Sequence, residues 1–417
     1  FYNMSLELNE KQQHAYNLME NGQNVFITGG GGVGKSFLIK YFIQNNYGNI
    51  AITSTTGISA IIIGGTTLYS YLGIGLGTSS VSKIVSNIRK KKFYRDRWCD
   101  LHTLIIDEVS MLNPELLDKI HEIAQILRRN MNPFGGIQMI LSGDFCQLPC
   151  IKSEMFCFEA ESWQYIKHTV YLDEIIRQKD TDFQQCLNEI RLGNTPENVR
   201  NIINKRVGIK IDKKLDIKPT KLYPLNRSVD SVNNKKLDKL INKNGTIFEY
   251  ELEYKNHTKR KIDPEKMINS LPVVKNLNLT EDCQVMLIYN LDIDRGLING
   301  SRGIVTKFVD DLPVVKFMNG EEITINYHEW EIEEKGQKIV TISQIPLRLG
   351  YAFSIHKSQG CTIDYAEIDL SNLFEYGMGY VALSRVKSLE GLFIKKINWD
   401  NIACHPKALE FYEKTKN

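Results

Sequence analysis

Phe26-Ile27-Thr28-Gly29-Gly30-Gly31-Gly32-Val33-Gly34-Lys35-Ser36 is the stretch from which the rest of this chain can be read. The apolar run Asn24 to Thr28 reads as a buried parallel strand, and Lys35 to Ile43 as the start of a helix. Between them, Gly29 to Ser36 fits G-x-x-x-x-G-K-[ST] at every fixed position. Gly29, Gly30, Gly31, Gly32 and Gly34, with Val33 among them, let the backbone curl so that its N–H groups form an anion nest. The helix N-terminus adds its positive end. Lys35 can reach the terminal phosphates of a nucleotide, and the Ser36 hydroxyl can ligate Mg²⁺. The chain therefore reads as a binder of a nucleoside triphosphate, and the open question is what hydrolysis drives.

A second hydrophobic run, Leu101 to Asp107-Glu108, ends in two carboxylates. After a phosphate-binding loop this suits Asp107 as the Mg²⁺ holder and Glu108 as the residue that polarises the attacking water. A third run, Ile137 to Ser142, leads into Gly143-Asp144-Phe145-Cys146-Gln147-Leu148-Pro149. A polar residue beyond the carboxyl end of a parallel strand sits where a ligand crevice opens, so Gln147 can contact a γ-phosphate. With Asn49 to Ser54 as a further strand and helical stretches between, the first half predicts an α/β fold with a parallel sheet covered by helices.

Length, composition and charge bound the rest. The 417 residues exceed one domain, and the formal net charge of +3 neither requires nor excludes a polyanion, so any nucleic-acid surface must be local. No run approaches the roughly 20 apolar residues of a membrane span, and Phe1 to Glu10 lacks a basic-then-apolar leader pattern, which points to a soluble intracellular protein. Cys146, Cys150 and Cys157 form the one cysteine cluster, at a spacing that matches no common zinc site. Val81 to Trp98 reads as one basic helix, a solvated face or the edge of a nucleic-acid track, and Thr66 to Gly77 as irregular. Tyr69 and Tyr71 there fit either base stacking or a core. From about Phe248 to Ile345 short alternating segments separated by Gly, Asn and Asp predict a small all-β insertion of barrel type. Helix–strand alternation then resumes at Leu347.

The whole motif set resembles a superfamily-one DNA helicase of the Pif type, related to RecD. The stretches that carry the resemblance are Leu8 to Gln12, the phosphate-binding loop, Thr55 to Ala60, Ile105 to Met111, Pro133 to Gly136, Gly143 to Pro149, Asn299 to Gly303, Ser354-Ile355-His356-Lys357-Ser358-Gln359-Gly360 and Tyr380 to Arg385. The resemblance implies two RecA-like domains with ATP between them: residues 1–168, with a short inserted segment near 77–98, and residues 169–247 with 346–417. Residues 248–345 become an SH3-like insertion in the second. It implies that Gln12 reads adenine, that Gly360 belongs with the nucleotide-binding residues, and that Arg177 and Arg385 approach the γ-phosphate. It implies single-stranded DNA contacts at Thr56, Thr67, Tyr69, Asn226, His356, Lys357 and Ser358. The activity implied is 5′-to-3′ movement on single-stranded DNA with unwinding of tailed or forked duplexes by a monomeric core. A DNA-stimulated ATPase that remodels protein–DNA complexes, a DNA binder with a degenerate nucleotide site and an ATP-driven protein remodeller are the alternatives. Gly31, Cys150 and Met378 stand where the family usually has Ala, a second Pro and Gln.

Overall fold

The computed structural model describes residues 8–150, 153–176, 178, 180–212, 217–258, 271, 273–292, 295–334 and 337–415. The chain divides into two compact units, residues 1–177 with 404–417, and residues 178–403.

The first unit opens with α1 (Glu10–Glu20), whose N-terminus is closed by a capping box between Asn9 and Gln12. Then follow β1 (Val25–Thr28), α2 (Lys35–Asn45), β2 (Ile50–Ser54), α3 (Gly57–Ile63), β3 (Thr66–Thr67), α4 (Leu68–Leu72), α5 (Val81–Arg89), α6 (Lys92–Asp100), β4 (Thr103–Asp107), α7 (Pro114–Arg128), β5 (Gln138–Gly143) and β6 (His168–Tyr171). The six strands form one parallel sheet in the order β3-β2-β4-β5-β1-β6. Every residue of β1 and β4 is buried, as expected of strands covered on both faces.

Three expectations are corrected in this unit. The strand at Thr169–Leu172 was expected to open the second domain. It pairs with β1 instead, Phe26 opposite Thr169 and Thr28 opposite Tyr171. Within Thr66 to Gly77 only residues 73–77 are irregular, and Thr66 to Leu72 is regular: Thr66 and Thr67 extend the sheet beside β2, and Thr67 caps α4 by accepting the Ser70 N–H at 3.4 Å. The single basic helix is two helices, broken where Lys91 is extended (φ −116°, ψ 97°) inside the run Lys90-Lys91-Lys92. The break aims Trp98 at the Leu72 carbonyl (2.9 Å) and lays Arg97 on the Tyr71 ring at 4.3 Å. Tyr71 is thereby committed to packing.

The second unit contains α8 (Thr181–Arg191), α9 (Glu197–Asn204), β7 (Thr220–Tyr223), α10 (Asn226–Asn244) and then β8 (Phe248–Glu251), β9 (Glu253–Asn256), β10 (Asn276–Leu279), β11 (Gln284–Leu287), β12 (Arg302–Val309), β13 (Leu312–Phe317), β14 (Glu322–Thr324), β15 (His328–Glu334), β16 (Gln337–Gln344) and β17 (Leu347–Leu349). It ends with β18 (Ala352–Ser354), β19 (Ala366–Leu370), α11 (Met378–Ser384) and β20 (Leu392–Ile397). β18-β7-β19-β20 is a parallel sheet, the second α/β layer. The described residues of the intervening segment form β strands and turns, with an antiparallel five-stranded sheet β14-β13-β12-β11-β17 over its own apolar core of Leu277, Leu279, Val285, Leu287, Val305 and Val315. Two polar side chains join the two parts. Gln284 exchanges hydrogen bonds with the Lys218 backbone at 2.9 and 3.0 Å, and buried Arg302 donates to the Lys218 carbonyl (3.0 Å) and the Thr220 hydroxyl (3.2 Å). Finally α12 (Pro406–Thr415) returns to the first unit. Its Phe411 stacks on Phe158 at 4.4 Å and meets Phe145 edge-on at 5.3 Å. Among the described residues no helix is long and apolar enough to cross a membrane.

Pro133–Gly136, one of the motif stretches, works as a brace. The Phe134 N–H donates to His121 Nδ1 at 3.0 Å, and His121 stacks on Tyr165 with ring centres 5.0 Å apart. Arg128 closes the other side, donating to the Gly135 carbonyl at 2.7 Å. Only a neutral imidazole can accept the Phe134 N–H. Burial lowers the His121 pKa from its ordinary 6.5, against the opposing charges of Asp118 and Glu122. The unfolded chain therefore binds more protons than the folded one below pH 6.5. His121 contributes stability above that value and loses it as the pH falls through and below it. The thermal midpoint should drop further between about pH 7.5 and pH 5.5 in the unmodified chain than in His121→Asn, whose amide oxygen can still accept. Equal drops measured by calorimetry would show that His121 is not the group responsible.

Candidate functional site

The side chains with chemistry in the first unit lie at the carboxyl ends of three neighbouring strands, β4, β5 and β1. Beyond β1 the loop bends at Gly29 (φ +142°) and Gly34 (φ +89°). A Cβ on Gly29 would stand 2.0 Å from the Leu172 carbonyl oxygen, so no larger residue fits there. Gly34 precedes α2 with no side-chain cap, leaving the first amides of α2 without a capping side chain. Lys35 folds back on the loop, donating to the carbonyls of Gly29 (2.7 Å) and Gly30 (2.9 Å). Ser36 follows it in the first turn of α2.

Asp107 is the last residue of β4 and is buried. Burial raises its carboxyl above the ordinary carboxylate value, while hydrogen bonds from the Ser142 hydroxyl and the Glu108 backbone, and then the positive charge of Lys35, pull it down. Glu108 follows in the left-handed region (φ 54°, ψ 44°), a costly conformation for a residue with a Cβ and one that collects at functional sites. Beyond β5 the chain runs through Asp144 to Gln147. Gln147 is buried and donates through Nε2 to Asp144 Oδ2 at 3.2 Å. Gln12 lies on the other side of the loop. It is buried on α1, its Oε1 takes the Asn9 N–H at 3.2 Å, and its Nε2 has no partner. A Cβ added to Gly34 would come within 2.7 Å of that nitrogen. A buried donor left open beside a glycine-walled loop and an uncapped helix start fits a nucleotide. Asp107 and Ser36 are the donor types that Mg²⁺ takes when phosphate and water complete its shell.

The expected DNA-contact residues are placed less uniformly. Thr56 is bonded to Ser59, accepting its N–H at 3.2 Å and donating to its hydroxyl at 2.9 Å. Tyr69 is half-buried and, with Thr67, Lys90, Lys91 and Tyr94, lines a groove of about 660 Å³ in the first unit. In the second unit His356 meets Glu375 at 3.1 Å. Lys357 is exposed at the surface, yet partial desolvation of its ammonium lowers its pKa, helped by the nearby Arg348 and opposed by Asp230. Lys357, Arg348 and Asp230 share a cavity of about 190 Å³. Ser358 is buried and donates to the Ile355 carbonyl at 2.7 Å, so its hydroxyl shapes the turn. Gly360 takes φ +79° at the end of that turn. Asn226 is the first residue of α10. Arg385 is buried at the end of α11, its guanidinium donating to the Val381 carbonyl (3.0 Å) and the Ser384 hydroxyl (2.8 Å). Arg177 lies outside the described residues.

Residues missed in the sequence support these. Gln178 is buried and donates to the carbonyls of Ser384 (3.2 Å) and Val386 (2.9 Å), one on each side of Arg385. Asp144 and Arg348 are the others. Asp144 stood inside a quoted motif, whereas Gln178 and Arg348 carried no signal beyond their neighbours.

Known proteins resemble this chain in sequence and in fold over nearly its full length. Residues 7–201 match the PIF1-like helicase family, and residues 266–308 match the family described as DNA helicase Pif1, 2B domain. The chain is 37% identical to the uncharacterized protein 030L of Invertebrate iridescent virus 6, over 100% of this chain and 96% of that protein. It is 36% identical to the ATP-dependent DNA helicase PIF1 of Xenopus laevis over 98% of this chain, but spans only 64% of that protein's length. The crystal structure of Pif1 helicase from Candida albicans superposes with a TM-score of 0.81 at 35% identity, covering 98% of this chain and 99% of the other. Bacteroides sp Pif1 in complex with ADP-AlF4 gives 0.83 at 29% identity (99% and 97% covered), and Bacteroides Pif1 bound to ssDNA gives 0.69 at 29% (98% and 97%). A parallel sheet that carries its motif residues at the strand ends, a second α/β layer interrupted by a β segment, and likeness of this extent have one common explanation: the chain belongs to the PIF1-like helicase family.

Proposed function

We propose that this chain is the core of an ATP-dependent DNA helicase that moves 5′-to-3′ along single-stranded DNA and opens tailed or forked duplexes. The observation that carries the reading is the convergence of Lys35, Asp107 and Gln147 at the ends of β1, β4 and β5, beside the open amide donor of Gln12. Two relatives lend the ligands: Bacteroides sp Pif1 is known in complex with ADP-AlF4, and Bacteroides Pif1 is known bound to ssDNA.

On this reading the amides of Gly29 to Gly34 and the start of α2 hold the phosphates of ATP, and Lys35 leaves its two carbonyl partners for the charged oxygens. Ser36 and Asp107 would hold Mg²⁺, which supplies Lewis-acid polarisation of the phosphoryl oxygens. Glu108, aimed by its left-handed backbone, orients the attacking water and takes its proton. Gln147 meets the γ-phosphate, Gln12 the adenine, and Gly360 lies with the nucleotide-binding residues. Arg177 and Arg385 counter the charge that develops in the transition state. DNA backbone contacts fall to Thr56, Thr67, Asn226, His356, Lys357 and Ser358, with Tyr69 stacking on a base and Lys90 and Lys91 along the same groove. A monomer suffices, working in an intracellular compartment that holds DNA and ATP.

Lys35→Ala should lower DNA-stimulated ATP hydrolysis by about 100-fold or more while leaving oligonucleotide affinity within a few-fold. Full unwinding by that variant would refute the reading. On partial duplexes, the unmodified chain with ATP should release the strand from 5′-tailed and not from 3′-tailed substrates. The reverse preference would overturn the polarity, and rapid ATP turnover without strand release from either would favour a translocase that remodels protein–DNA complexes.

A further inference from the structure

The phenol of Tyr412, near the end of α12, sits among three groups of the candidate ATP site's framework. Its oxygen lies 2.6 Å from Thr28 Oγ1, 3.0 Å from the Phe145 N–H and 3.3 Å from Asp144 Oδ1. Thr28 ends the strand that feeds the phosphate-binding loop, and it pairs with Gly143, which ends β5. Asp144 in turn takes the Cys146 N–H at 3.1 Å and the Gln147 side-chain amide at 3.2 Å. Thr28, Asp144 and Tyr412 are all buried.

Counting protons assigns the direction of each bond. A phenol donates once and accepts twice. The Phe145 N–H can only donate, and a carboxylate can only accept. Tyr412 therefore gives its proton to Asp144, accepts from Phe145, and takes its second hydrogen bond from the Thr28 hydroxyl. The chain reads Thr28 to Tyr412 to Asp144, with Gln147 donating to the same carboxylate. All the capacity of the phenol is used, and Asp144 receives three donors in a buried place where an unmet carboxylate would be costly.

We infer that Tyr412 is a positioning residue for ATP hydrolysis: through Asp144 it sets where the Gln147 amide stands, and through Thr28 it keys that position to the phosphate-binding loop. The inference rests on the helicase reading, in which Gln147 meets the γ-phosphate. Phe145, Phe158 and Trp163 pack against Phe411, at 4.4 to 5.9 Å between ring centres, and hold the helix that carries the phenol.

The test uses the full chain and isosteric variants. Tyr412→Phe keeps the ring and removes the hydroxyl. With a saturating single-stranded oligothymidylate it should lower kcat for ATP hydrolysis by about 3- to 10-fold, the worth of one hydrogen bond, and change KM for ATP by less than about 2-fold. Thr28→Val should lower kcat in the same way, Thr28→Ser should restore it, and the double variant Thr28→Val/Tyr412→Phe should be no slower than Tyr412→Phe alone. A kcat for Tyr412→Phe equal to that of the unmodified chain overturns the inference and leaves the helicase reading standing. So does a parallel loss with full additivity, or a Thr28→Ser as slow as Thr28→Val. Absence of DNA-stimulated turnover in the unmodified chain overturns both.

Discussion

The first unit depends on how closely the backbone of the phosphate-binding loop is held from below. The Leu172 N–H donates to the Thr28 carbonyl at 2.8 Å, and the Ile176 N–H donates to the Gly32 carbonyl at the same distance. These two bonds stitch the segment after β6 to both ends of the loop. They bring the Leu172 carbonyl so near Gly29 that only a hydrogen fits between. The loop is therefore not a free glycine tether. Its curvature is set before any ligand arrives, which is the form of preorganisation that makes an anion nest bind without first paying to order itself. β6 must lie in the first sheet for this to happen, and for that reason the boundary expected at residue 168 falls inside a working element.

The parallel sheets, the positions of Lys35, Asp107 and Gln147 at strand ends, and the β segment after α10 were legible in the sequence, because each rests on local pattern. Continuous apolar runs specify strands covered on both faces, and glycine spacing specifies the turn. What was not legible depended on partners distant in the chain. His168–Tyr171 looks the same whether it joins the first sheet or the second, and only its pairing with β1 decides. α12 reads as an ordinary amphipathic helix, and nothing in its residues announces that Tyr412 meets Thr28, 384 positions earlier. The break at Lys91 follows from where Trp98 and Arg97 must go, which is a packing fact.

Shared motifs also mix two kinds of residue that a sequence cannot separate. Pro133–Gly136 is held by His121 and Arg128 and stabilises the turn between α7 and β5. Arg302, inside Asn299–Gly303, is buried and joins the β segment to the stretch before β7, where burial lowers its pKa to about 10. The Ser358 hydroxyl closes its own turn. For such residues the cost of loss is a buried donor or acceptor left unmet, about 1–3 kcal/mol each. That is sufficient reason for them to recur without any contact to ligand.

Charge explains why the remaining motif residues are different. Lys35 donates to two neutral carbonyls, and burial raises the Asp107 carboxyl against the lowering effect of the Ser142 hydroxyl, the Glu108 backbone and the Lys35 charge. A triphosphate with its cation would give Lys35 and Asp107 each a further charged partner. A hydrogen bond from an ammonium to an ionised oxygen is roughly twice as strong as one to a neutral acceptor. A divalent cation would favour the ionised form of a carboxyl whose pKa burial has raised. Gln12 adds a donor with no partner in the same neighbourhood. The structural residues of the motifs bond to parts of the fold, whereas Lys35, Asp107 and Gln12 bring a cation, a buried carboxyl and an open donor to the neighbourhood of one loop. Within one folded chain, that gathering of charged and hydrogen-bonding groups beside a glycine-walled loop distinguishes a site from a scaffold.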